Sequence, residues 1–167
     1  MSPGAFHDPL TETIAGFLRE IGLEVRIGEV REDAVLPGIR IDHGALVVEE
    51  ARLAHPGDLL HEAGHLAVVP PARRARFHHD VGNDGGEEMA VIAWSYAAAL
   101  HLGLDPAIVF HDAGYRGDSA SILENFTRGY YFGVPMLDLG GLAYDLPRAA
   151  REGLAPYPKM RRWLRQA

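Results

Sequence analysis

The chain contains no cysteine. Disulfides, thiolate metal ligands and a cysteine nucleophile are thereby excluded together. Basic residues are in the minority: 16 Lys and Arg against 23 Asp and Glu give a formal net charge of −7. Nucleic-acid binding needs a basic surface to neutralise phosphates, so no nucleic-acid partner is expected. The one basic concentration, Arg161, Arg162 and Arg165, reads as the solvated face of a helical tail over 155–167. Long hydrophobic runs are also missing. The longest, MAVIAWSYAAALHLGL at 89–104, carries His101 and falls short of the roughly 18 apolar residues of a membrane span. A buried helix is the expectation, with no membrane partner. The N-terminus lacks a basic stretch followed by an apolar one, so no signal peptide is expected and the default location is cytoplasmic. No repeat or low-complexity segment is found.

What is present suits one globular domain over 1–167, with 47% hydrophobic and 23% charged residues. Asp8-Pro9 marks a helix start, and Leu10, Ile14, Phe17, Leu18 and Ile21 recur at helical spacing up to Gly22. LEVRIGEV (23–30) alternates like a strand, and IRID and ALVVE flank His43-Gly44 in a tight hairpin. A helix opened by His55-Pro56-Gly57-Asp58 should stop at Pro70-Pro71. After a polar loop containing HHDVGNDGG, an apolar helix runs from near Glu87 to Gly103. Asp105-Pro106 starts a short helix, and Ser119 or Ser121 another that reaches about Gly129. GVPMLDLGGLAYDLP reads as irregular packed connection. The order of helix, strands and helices predicts an α+β fold, a small mixed or antiparallel sheet against a helical bundle.

The chemistry concentrates in HEAGH, residues 61–65, inside an otherwise apolar segment. Residues four apart share a helix face, so His61 and His65 point the same way and can converge on one ion. Glu62 is turned about 100° round the helix, placed to reach a water on that ion rather than the ion itself. This is what HExxH provides: two ligands and a general base. A chance match would leave two imidazoles in an apolar helix without partners, at roughly 1–3 kcal/mol each. Gly64 would let another helix pack closely against this one.

HEAGH, the preceding ALVVE and the helix that follows resemble the zincin superfamily of zinc metallopeptidases. The resemblance covers about a third of the chain and implies a minimal zincin-like fold, a Zn²⁺ cofactor and a peptide or protein substrate. Metzincins place a third histidine where this chain has Pro71, and peptide deformylase needs a cysteine, so neither branch fits. Gluzincins take a glutamate from a following helix. EEMAVIAWSYAAAL resembles that helix in the ImmA/IrrE-type peptidases and offers Glu87 and Glu88. Asp84 as N-cap with Glu87 as its capping partner favours Glu88 as ligand; the spacing from Glu87 to Ala90 favours Glu87. The Asp or Asn that often follows the gluzincin ligand by one turn is missing, Val91 and Ile92 standing there, which removes the usual second-shell bond. HEAGH also resembles the motif of FtsH-type proteases, whose third ligand is a distant aspartate, here Asp138 or Asp145.

Four further residues carry expectations. His78 and His79 lie between the two ligand helices, where they would line the cleft or add a ligand. His111 and Tyr115 are candidate donors to a developing oxyanion. The substrate pocket is expected from the 70–86 loop and the segment after Gly103. Together these features predict a zinc metallopeptidase in which Glu62 activates the water; the alternative is a metal-stabilised regulatory or binding module without catalysis.

Overall fold

The computed structural model describes residues 4–34, 36–82 and 84–167. The first three residues of the N-terminal stretch and Asn83 of the polar loop, both read above, lie outside them. The first helix, α1 (Pro9–Glu20), begins as its sequence dictates: the Asp8 side chain accepts from the Thr11 amide at 2.9 Å, with Pro9 at the first turn. Its Ile14, Ala15, Phe17 and Leu18 are buried.

Three short strands follow: β1 (Val25–Ile27), β2 (Ile39–Asp42) and β3 (Ala45–Val48). Their order is β1-β3-β2, with β1 parallel and β2 antiparallel to the wholly buried β3. The hairpin at His43-Gly44 forms with both residues at positive φ, 48° and 83°, the turn geometry that suits right-handed strand twist. Strand β1 is shorter than the alternation over 23–30 predicts. Its partner β3 ends at Val48, so nothing remains for residues beyond Ile27 to pair with except one bond from Gly28.

Two helices carry the centre of the molecule: α2 (Asp58–Ala67) and α4 (Gly85–His101). Gly64 lets them touch. A Cβ there would come within 2.8 Å of Val91 Cγ1, and the Ser95 hydroxyl donates across the contact to the Leu60 carbonyl at 3.3 Å. Leu59, Leu60, Ala63, Leu66 and Trp94 are fully buried around it; burying each large apolar side chain contributes about 1.5–3 kcal/mol. Helix α2 stops just before Pro70-Pro71, and Pro71 then opens a four-residue helix, α3 (Pro71–Arg74). From α3 the Arg74 guanidinium donates to the carbonyls of Leu66 (2.6 Å) and Val69 (3.1 Å), which lack helical partners.

Beyond α4 come α5 (Ser119–Thr127), α6 (Val134–Leu139) and α7 (Leu146–Glu152). The segment expected to be irregular therefore contains α6 and the start of α7. Pro135 and Pro147 fall in the first turns of these helices, where proline is tolerated, and Asp145 caps α7 through the Arg148 amide at 2.8 Å. The expected helical tail over 155–167 is not helical. Pro156 and Pro158 prevent a helix at its start, and its backbone is used in tertiary bonds: the Trp163 carbonyl accepts from the Trp94 indole (2.9 Å), and the Arg165 amide donates to the Ala67 carbonyl (2.9 Å). Arg161 lies over the Tyr144 ring instead of on a helix face. The fold is α+β, a mixed three-stranded sheet packed with helices. Among the described residues, no helix is long and apolar enough to cross a membrane.

Candidate metal centre

Helix α2 presents His61 and His65 one turn apart, and α4 brings Glu88 across the Gly64 contact. The Nε2 atoms of the two histidines are 3.2 Å apart. Glu88 Oε1 lies 3.5 Å from His61 Nε2, and Oε2 lies 3.3 Å from His65 Nε2. Ligands about 2.0–2.1 Å from a tetrahedral ion sit about 3.3–3.4 Å from one another. The nitrogen–nitrogen separation and the two Glu88 contacts, each made by a different carboxylate oxygen, match that spacing to within 0.2 Å. The imidazole planes are nearly perpendicular, at 83°, and both rings present Nε2 to each other and to the Glu88 carboxylate. Two nitrogens and a carboxylate form a donor set suited to zinc.

The electrostatics differ from ligand to ligand. Burial pushes His61 down to about 4, helped by the neighbouring His65 and opposed by Glu88. Burial also works against charge on His65, but the Glu88 and Glu62 carboxylates outweigh it and its pKa rises. For Glu88 burial is likewise outweighed, by the His65 contact and both imidazoles, and its pKa falls. Glu62 differs. Burial pushes its carboxyl up to about 7, with Asp58 and Glu88 adding to the effect against His65. A carboxyl poised near neutrality suits a group that takes up and releases a proton.

The remaining sequence candidates separate cleanly. Glu87 is buried and turned to Arg73, whose Nη1 is 2.6 Å from Oε2, while its backbone amide is capped by Asp84 at 2.9 Å. Asp138 is paired with Arg148 (2.6 Å) and accepts from the Asp145 amide (2.9 Å), and Asp145 caps α7. Neither aspartate belongs to a cluster with the two histidines. His111 Nε2 lies 2.6 Å from Asp58 Oδ1 on the first turn of α2. The Tyr115 hydroxyl lies 2.7 Å from His61 Nδ1. Sequence reading had taken Asp58 only as part of the helix opening. Its signal was available: Asp58 precedes His61 by three residues and Glu62 by four, on one side of the helix.

A cleft of about 290 Å³ ends on Glu62, with Val30, Leu36, Ile39, Ile41 and His79 among its walls. The lining of this cleft differs from that expected of a substrate pocket. Among the described residues of the 70–86 loop only His79 lines it, and none after Gly103 does; β2 and the connection before it supply the apolar wall. His78 turns instead to Asp42, with its Nδ1 at 3.3 Å, and joins His43 and Asp42 in a second cluster.

No protein-family profile matches the chain, and comparison with curated proteins and with solved structures gave no match either.

Proposed function

We propose that the protein is a zinc-dependent hydrolase, most simply a metallopeptidase of zincin type. The observation that carries this reading is the cluster of His61, His65 and Glu88, with contacts of 3.2 to 3.5 Å between the two imidazole nitrogens and the carboxylate oxygens, beside the buried Glu62 carboxyl. His61, His65 and Glu88 would hold the ion. Bound there, zinc supplies Lewis acidity, lowering the pKa of a water to about 7 and polarising a carbonyl. Glu62 takes the proton of the attacking water and returns it to the departing amide nitrogen, a role for which its raised pKa is suited. The cleft that ends on Glu62 takes a length of peptide whose apolar side chain meets Val30, Leu36, Ile39 and Ile41. The cytoplasm is the proposed compartment.

The test is Glu62→Gln assayed against a peptide library, with zinc content measured in parallel. About one zinc in both proteins, with cleavage reduced about 10²–10⁴-fold in the variant, is the expected result. Zinc in both and cleavage in neither would identify a metal-stabilised module that binds without cutting.

A further inference from the structure

A histidine that binds a cation through Nε2 keeps its proton on Nδ1, and the partner of Nδ1 sets both tautomer and ring direction. The His61 Nδ1 partner is the Tyr115 hydroxyl, 2.7 Å away, with the rings edge to face at a centroid distance of 5.3 Å. His65 has no such partner; its Nδ1 is buried without a hydrogen bond among the described residues. We propose that Tyr115 is the positioning residue of the metal centre, its phenol oxygen accepting from His61 Nδ1–H and so holding Nε2 toward the ion. The proposal rests on the zinc reading above.

The fold invests in placing this phenol. Tyr115 and Arg116 both adopt positive φ, 52° and 53°, a left-handed conformation that costs side-chain-bearing residues about 1–3 kcal/mol each when the surroundings impose it. Four residues earlier, His111 is bound to Asp58 at 2.6 Å. Asp58 and His61 are one turn apart on α2, so the 111–115 segment grips the metal-ligand helix at two points on one side. The turn between the grips is closed by the Gly114 amide on the His111 carbonyl (3.0 Å) and by the Ser119 hydroxyl on the Gly114 carbonyl (3.2 Å). Buried Phe110 packs on the Tyr115 ring at 5.5 Å, and His55 stacks on His111 at 3.8 Å.

The choice of a phenol has a chemical consequence. A phenol, with an ordinary pKa of about 10, is a neutral acceptor at neutral pH. A neutral acceptor draws less on the Nδ1 proton than a carboxylate does. His61 would then be a weaker donor to a bound cation than a histidine paired with a carboxylate. The same contact removes Tyr115 from the expected oxyanion role. Its hydroxyl sits behind the imidazole, on Nδ1, rather than on the side where Nε2 meets Glu88.

The experiment is zinc affinity by chelator competition on the whole chain, wild type against Tyr115→Phe, with the visible spectrum of the Co²⁺-loaded forms. The expected result is a zinc affinity lowered about 10–100-fold and altered cobalt bands, while the metal-stripped variant melts within about 4 °C of wild type. Equal affinity and an identical cobalt spectrum would overturn the assignment and leave the zinc centre standing. A wild type that binds no zinc, or binds it equally well after His61→Ala, would overturn both. Nitrogen-labelled histidine in the zinc-loaded wild type gives a check that needs no variant. A slowly exchanging His61 Nδ1–H with proximity to the Tyr115 ring is expected, and a rapidly exchanging one would count against the proposal.

Discussion

Between α2 and α4, His61 and His65 meet Glu88; at the tip of the β2–β3 hairpin, His43 and His78 meet Asp42. The two groups have the same kinds of side chain at similar spacing, yet only the first is arranged as a cage. At the hairpin the imidazoles stack, with centroids 4.2 Å apart and planes 29° from parallel. Between the helices the planes stand at 83° and the two Nε2 atoms come within 3.2 Å. Competition differs as well. Asp42 already receives Arg26 at 3.1 Å and Arg40 at 3.5 Å on Oδ2, and His43 at 2.8 Å on Oδ1. Among the described residues, the ion-pair partners of Glu88 are the two histidines that would share its ion. Solvent completes the contrast, since His43 and His78 are exposed whereas His65 is buried. Proximity of ligand-type residues is therefore a weak criterion; ring angle and freedom from competing cations decide.

The sharpest way to break this comparison is to delete one histidine from each cluster. His61→Ala or His65→Ala should abolish stoichiometric zinc binding, while His43→Ala and His78→Ala leave it intact, as read by metal content after dialysis. Next in size is the third ligand. Glu88→Ala should weaken zinc by about 10²-fold or more, beyond the 10–100-fold typical of losing an outer partner. Glu87→Ala should leave affinity unchanged and lower stability by about 1 kcal/mol through loss of the partly exposed Arg73 pair. Calorimetric titration of both variants separates the two glutamates.

Acidity should then act on the two clusters in different ways. His65 has a raised pKa, so protons compete for it as pH falls through that value, and zinc affinity should drop by up to about tenfold per pH unit for each proton displaced. In the metal-free protein, Glu62 moves from an ordinary 4.5 to about 7. The fold favours its protonated form. Its contribution is present below 4.5 and is lost as pH rises through 7, by an amount on the order of 1–3 kcal/mol. Glu62→Gln should remove that loss in urea melts at pH 8 and change little at pH 4. The Asp42 carboxyl is held low, chiefly by His43 and then by Arg26 and Arg40 against burial, so the hairpin's contribution has the opposite sign and fades only as pH falls below 3.8. The last expected effect is mechanical. Gly64→Ala places a methyl 2.8 Å from Val91 Cγ1 and should cost about 1–3 kcal/mol in denaturant melts, pushing Glu88 away from the histidines without touching the hairpin.

Where local chemistry decided the structure, it was readable in the sequence. Asp8-Pro9 opens α1, His43-Gly44 turns the hairpin, and the HEAGH spacing faces two imidazoles the same way. Asp84 capping the Glu87 amide was also legible, and with it the register that sends Glu88 to the histidines and Glu87 to Arg73. What could not be read depends on distant partners. Tyr115 reaches His61 across 54 positions with no periodic pattern to announce it. The C-terminal residues look like a basic helix until the Trp163 carbonyl is seen to be taken by the Trp94 indole. Helix α6 is only six residues long and lies between Gly133 and Gly140, so its turn-like ends hid its interior. The cleft eluded sequence reading for the same reason, since β2 and the residues before it meet Glu62 only through the fold.

The central claim is that one ion sits between α2 and α4 rather than at the hairpin. X-ray absorption at the zinc edge, recorded on the wild type and on His78→Ala after loading with one equivalent, tests it most directly. The account predicts two imidazole nitrogens at about 2.0–2.1 Å with oxygen completing the shell, unchanged in His78→Ala. A shell with fewer imidazoles, or one altered by His78→Ala, would contradict it.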